Sequence, residues 1–287
     1  MKINNYKVFH FTKEIENLEE ILHYLNKEPV INFEIIDCLE QLEENPSRFG
    51  ELIECFVVFK KSDIKIVTFR APLFNLLISH SNDLGAILPL VEYMKNSNIN
   101  IPGIYGPSSV VTKFVFHWYV IFKEKFQTSD ESWLFLLDKS QIPLKNLGTV
   151  KKATIEHEKK LLQWSDAAVL DLIPNSPEIF LESCRINISQ RIREKKVYLL
   201  EVDDELVSMG AITGESNNMQ IINNVYTPPE NRCKGYATEL CTYMANYIIN
   251  ECNDYPLLSV IITNKPAIHI YQKIGFKKKG KVTLCLK

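Results

Sequence analysis

The segment Val225-Tyr226-Thr227-Pro228-Pro229-Glu230-Asn231-Arg232-Cys233-Lys234-Gly235-Tyr236-Ala237 constrains this chain more than any other. The β-prone run over 219–226 must end at the proline pair, because proline has no N–H to give to a sheet ladder. Beyond Gly235, Ala237, Leu240, Cys241, Met244, Ala245, Ile248 and Ile249 recur at helical spacing, which predicts an amphipathic helix over 235–251. The first N–H groups of such a helix have no partner inside it, and the helix dipole adds partial positive charge at the same end. The loop is therefore a candidate seat for a phosphate-like anion. Gly235 and the small Ala237 let the backbone come close, and Arg232 and Lys234 add charge. The spacing is neither the nucleotide loop G-x-x-x-x-G-K-S/T nor a complete G-x-G-x-x-G. Taken alone, it leaves phosphate binding and a plain strand–helix connection both open.

Around this segment the pattern reads as mixed α/β. Residues 197–202 and 206–212 form a predicted hairpin about Asp203-Asp204-Glu205, preceded by helices over 154–171 and 177–194. After the long helix come a buried strand over 257–262 and a short helix over 264–273 with Pro266 in its first turn. Gly275 ends that helix, and terminal strands follow from Phe276. The first half repeats the order: helices over 13–26 and 32–44, a hairpin over 54–70, a strand over 73–79 and a helix over 82–95. A strand over 99–105, a helix over 108–123 and a strand over 133–137 complete it. A repeat this long implies a duplicated domain rather than a solenoid. The expected division is a domain over 1–140 and another over 148–287, with the linker near 139–147 around Pro143.

Charge and cysteine use exclude several classes. The formal net charge of −2 gives no basic field to attract nucleic acid or an anionic membrane. No run approaches the ~18 uninterrupted apolar residues of a membrane span. The seven cysteines form no C-x-x-C pair, and the N-terminus opens no signal-like apolar run, so a reduced cytoplasmic protein, monomer or homodimer, is expected. His157-Glu158 lacks the second histidine of a zinc helix, and no metal is expected.

A second segment, Asn264-Lys265-Pro266-Ala267-Ile268-His269-Ile270-Tyr271-Gln272-Lys273-Ile274-Gly275-Phe276, follows the next strand. With it the chain resembles a known family. Arg232 to Ala237 is similar to the R/Q-x-x-G-x-G/A signature of the GNAT superfamily of acetyl-CoA-dependent N-acetyltransferases. Asn264 to Phe276 resembles that family's Asn, Tyr seven residues on, then Gly-Phe. The likeness covers about the last 140 residues by motif and the first only by order of elements, as in a bacterial branch with a divergent N-terminal domain. It implies tandem GNAT-like domains, each a mixed sheet flanked by helices, and acetyl transfer to a primary amine on a small molecule or protein. It further implies that backbone amides of Arg232, Cys233, Lys234, Gly235, Tyr236 and Ala237, with Thr238 close by, hold the coenzyme A pyrophosphate. Val225, Tyr226 and Thr227 would bind the pantetheine arm through main chain, an N–H near Val225 would polarise the thioester carbonyl, and Asn264 would hold the arm from the other side. Tyr271 would protonate the departing thiolate. The chain departs from the family where a carboxylate base often stands, since Ile221-Ile222-Asn223-Asn224 holds no Asp or Glu. That leaves a second reading, an acyl-CoA-binding regulatory module without turnover. In the first half the matching loop, Ser79-His80-Ser81-Asn82-Asp83-Leu84-Gly85, has no Arg or Lys, so no coenzyme site is expected there.

Overall fold

The computed structural model describes residues 5–45, 49–50, 52–71, 74–138 and 143–287. Its chain forms two units. One comprises Met1–Leu134 together with Lys279–Lys287, and the other is Phe135–Lys278. The units thus do not divide at a single point in the sequence. Residues 139–142 of the expected linker lie outside the described residues.

In the first unit, strands β1 (Tyr6–Phe11), β2 (Glu54–Lys60), β3 (Asp63–Arg70) and β4 (Leu76–Ile78) pair antiparallel in sequence order, and β5 (Gly103–Pro107) joins β4 in parallel. The C-terminal strand β12 (Lys277–Leu286) completes this sheet: its residues Val282 to Leu286 run antiparallel to Pro107 to Gly103. Alternation along β2 explains the layers. Cys55 and Val57 pack with Ile21, Leu25, Ile36 and Leu39 of helices α1 (Leu18–Leu25) and α2 (Phe33–Glu44). Phe56 and Val58 face the other way, into a core with Leu90 and Val91 of α3 (Ile87–Asn96) and Phe114 and Trp118 of α4 (Ser108–Phe122). The sequence reading missed β1, whose Tyr6, Val8 and His10 alternate with Lys7 and Phe9. It also started β5 too early. Pro102 has no N–H for a ladder, and pairing begins at Gly103. Trp133, on β6 (Gln127–Leu136), is only half-buried, whereas Trp118 is core.

In the second unit β7 (Thr149–Lys152), β8 (Val197–Val202), β9 (Glu205–Ser216) and β10 (Met219–Tyr226) pair antiparallel, and β11 (Tyr255–Ile261) joins β10 in parallel. Two-residue turns set the register. Asp203-Asp204 between β8 and β9, and Asn217-Asn218 between β9 and β10, all lie at positive φ, the backbone that matches strand twist in tight hairpins and that Asp and Asn tolerate. Val197 and Leu199 face helices α5 (Glu158–Leu172) and α6 (Glu178–Arg193) in a core with Leu161, Trp164, Ile188 and Ile192. Tyr198 faces the opposite side, its ring 5.6 Å from Tyr247 of α7 (Tyr236–Asn250). The last helix, α8 (Lys265–Ile274), follows β11 and presents Ile268, Tyr271 and Ile274 to the interior.

Candidate functional site: a splayed strand pair below an open helix terminus

Strands β10 and β11 pair only where Met219, Gln220 and Ile221 face Tyr255, Pro256 and Leu257. Beyond that the two strands carry no ladder with each other, although β10 runs on to Tyr226 and β11 to Ile261. Parting strands expose main-chain donors and acceptors that a ligand can use. On its other edge β10 has a bulge. Asn223 faces Ala211 and Tyr226 faces Met209, so Asn224 and Val225 together oppose Gly210. Asn224 has a φ of 50°, and two residues against one takes Val225 out of the regular pairing. A Cβ at Gly210 would stand 2.6 Å from the Met244 methyl, so a side chain there would require Met244 to shift.

Past Tyr226 the chain makes a 3-10 turn over Pro229–Asn231 and enters α7 through Gly235. Cys233 and Gly235 have φ of 63° and 89°, and Gly235 caps α7 without a side-chain acceptor. Among the described residues no backbone carbonyl outside α7 accepts from Cys233, Lys234, Gly235, Tyr236, Ala237 or Thr238. Alternating backbone handedness at a helix N-terminus turns such N–H groups toward a common point, which suits an anion. The two basic side chains of this loop have different partners. Arg232 forms an ion pair with Asp171 at the end of α5, donates from Nε to the Thr227 carbonyl at 2.9 Å and lies 5.7 Å from the Tyr226 ring centroid. It braces the loop, and much of its charge is offset by Asp171. Lys234 is exposed, reaches Asn231 at 3.4 Å and lies 5.9 Å from the Tyr236 ring centroid. Main-chain acceptors here are partly taken as well: Ser208 Oγ donates to the Tyr226 carbonyl at 3.0 Å and lies 2.9 Å from Thr227 Oγ1.

The second motif sits on α8. Asn264 is its N-cap, with Oδ1 accepting from the Ala267 N–H at 3.2 Å, which directs the acceptor end of the amide into the helix. Tyr271 is buried, with Phe276 at 6.0 Å and Phe135 at 6.5 Å between ring centroids. Burial pushes its hydroxyl pKa well above the ordinary tyrosine value, with nearby Cys241 adding in the same direction, so the hydroxyl keeps its proton.

Two features of this region carry little sequence signal. Glu239, in the first turn of α7, is buried, and its carboxylate accepts from the N–H groups of Lys145, Asn146 and Leu147 at 2.9, 2.8 and 3.4 Å. It ties the segment before β7 to the first turn of α7. Replacing it by alanine hands three exposed-side N–H groups back to water, at a cost of about 1–2 kcal/mol. Chemical denaturation should show that loss. An unchanged midpoint would mean that water replaces the carboxylate fully. The other feature is Arg191 near the end of α6, whose Nη1 donates to Asn223 Oδ1 at 3.3 Å and to Asn224 Oδ1.

The corresponding loop in the first unit is filled by the protein itself. The Asp83 carboxylate accepts from the Gly85 N–H at 3.1 Å, from Tyr6 at 3.0 Å and from Lys60 at 2.8 Å, and Lys60 above all holds its pKa below the usual value. Tyr24 donates to the His80 carbonyl at 2.9 Å, and Asn32 accepts from the His80 N–H at 2.7 Å.

Comparisons with known proteins bear on the fold. Residues 203–284 match the family model described as FR47-like protein. Solved structures share the architecture over nearly the full chain. A Drosophila protein has a TM-score of 0.65 at 13% identity, covering 98% of this chain and 99% of its own. A GCN5-related N-acetyltransferase from Sphaerobacter thermophilus has a TM-score of 0.60 at 12% identity, covering 98% and 95%. The chain shares its fold with this N-acetyltransferase structure, while the family model matches residues 203–284. A tandem GNAT protein from the clavulanic acid biosynthesis pathway is similar at a TM-score of 0.57 and 9% identity, covering 98% of each chain. The search of curated proteins finds no significant match. Among the described residues no helix is long and apolar enough to cross a membrane, and no His, Cys, Asp and Glu group is arranged to hold a metal. His157 instead closes a reciprocal cap: its Nδ1 accepts from the Thr154 N–H at 3.0 Å.

Proposed function

We propose that the protein is an N-acetyltransferase that moves the acetyl group of acetyl-CoA to a primary amine, using the second unit alone for the donor. The observation that carries this reading is the open row of N–H groups from Cys233 to Thr238 beside the parting of β10 and β11. A pyrophosphate fits the first, and an extended pantetheine with its amides fits the second. Val225, released from regular pairing by the bulge, has an N–H suited to the thioester carbonyl oxygen. The amine lone pair attacks the carbonyl carbon, the C–N bond forms and the C–S bond breaks. The neutral Tyr271 hydroxyl is the proton source for the sulfur, and Asn264 offers its amide N–H end to the arm. The acceptor nitrogen gives up its proton to water, since Asn223 and Asn224 stand where a carboxylate base could on β10, and water returns a proton to Tyr271. In the first unit Asp83 occupies the matching anion seat, which supports one acetyl-CoA per chain.

The test is coenzyme A release from acetyl-CoA over a panel of primary amines at several pH values. Release that depends on an amine and yields the N-acetyl product is expected. Tight acetyl-CoA binding with no amine-dependent release would assign the chain to coenzyme sensing instead.

A further inference from the structure

The cation at the β10 bulge has no anion. Arg191 is half-buried, and both of its hydrogen bonds come from Nη1 and go to neutral amide oxygens, those of Asn223 and Asn224. The orientation of Asn223 is fixed by this contact, because arginine can only donate, so the amide oxygen must face it; its Nδ2 goes to Thr213 Oγ1 at 2.7 Å. No carboxylate lies within ion-pair range of Arg191 among the described residues. Glu194, whose field does reach it, is engaged by Gln190 at 2.8 Å and by Lys196 at 4.0 Å. The guanidinium cannot shed its charge, and its Nε and Nη2 groups have no partner among the described residues. Those two groups form one straight edge of the fork, the edge that takes a carboxylate with two parallel hydrogen bonds.

We propose that the acceptor is an α-amino acid whose carboxylate binds the Nε–Nη2 edge of Arg191. The inference rests on the acetyl-transfer reading and deepens it. One of the residues Arg191 holds, Asn224, is the bulge residue next to Val225, so a carboxylate on Arg191 brings an amine one carbon away toward the thioester. The same cation disfavours a second positive charge nearby. It thereby repels diamines and lysine-rich segments. Arg191 acts here as a binding residue, and its effect belongs chiefly in KM.

The experiment compares free amino acids with their α-carboxamides and with simple diamines, measured by coenzyme A release with saturating acetyl-CoA. The carboxylate should raise kcat/KM by about 10²-fold over the carboxamide. Arg191→Gln should shrink that gap by raising KM for the acid far more than for the carboxamide, and Arg191→Lys should recover part of it. Equal rates for acid and amide in the unaltered protein would overturn the inference while leaving acetyl transfer in place, and that comparison needs no variant to fold. A loss shared equally by acid and amide in Arg191→Gln would show that Arg191 only supports the bulge, and would overturn it too. No release with any amine, while acetyl-CoA still binds, would instead overturn the transfer reading beneath it.

Discussion

Gly235→Asp should abolish acetyl-CoA binding by the whole chain, where the unaltered protein is expected to bind one equivalent. Gly235 enters α7 at a φ of 89°, and its N–H is one of the row from Cys233 to Thr238. Aspartate tolerates this backbone at a cost of about 1 kcal/mol, and its Cβ would meet only the Leu147 methyl at 3.4 Å. The fold should survive. Its carboxylate, however, would stand where a pyrophosphate must sit. Two like charges ~4 Å apart in a partly screened site repel by roughly 4 kcal/mol, about 10³ in affinity. Gly235→Ala separates strain from charge and should weaken binding by no more than about tenfold. Calorimetry reads both stoichiometry and affinity. One equivalent still bound tightly by Gly235→Asp would place the donor elsewhere, and a second equivalent in the unaltered chain would contradict the reading of Asp83 as an occupant of the first unit's seat.

Much of this was legible because the relevant signals are local. Pro228-Pro229 ends β10, the i, i+3, i+4 spacing of Leu240, Cys241, Met244 and Ile248 builds α7, and Asn264 and Gly275 bracket α8. Local signals say nothing of partners far along the chain. That residues 282–286 pair with β5 depends on a register between segments far apart in sequence, and no spacing rule encodes it. Arg191 is one of several charges on α6, beside Arg185 and Arg193, and only the fold shows that it alone turns to the β10 asparagines. Arg232 is similar: its place in the loop motif says nothing of Asp171, sixty-one positions away, with which its side chain pairs. The absence of a carboxylate at Asn223 and Asn224 was plain from the sequence, but its meaning depended on the arginine that faces them.

Tyr271→Phe should lower kcat by roughly 10²–10⁴-fold, the span expected for one general acid, and leave acetyl-CoA affinity nearly unchanged. The substitution removes one oxygen and keeps the ring against Phe135 and Phe276, so the melting temperature should hold. Burial raises the Tyr271 hydroxyl pKa above the ordinary tyrosine value, so a general acid at this position would keep its proton through the neutral range. Two outcomes follow for the unaltered protein. The alkaline side of its kcat profile should show no fall from loss of this proton. Its acid side should follow protonation of the acceptor amine, since only the free amine attacks. In the Phe variant the residual rate should become sensitive to the leaving thiol, because an unassisted thiolate departs less readily. Full activity of Tyr271→Phe on the true acceptor would show that the sulfur takes its proton from water or from another group, and would reduce Tyr271 to the packing of α8 against α7.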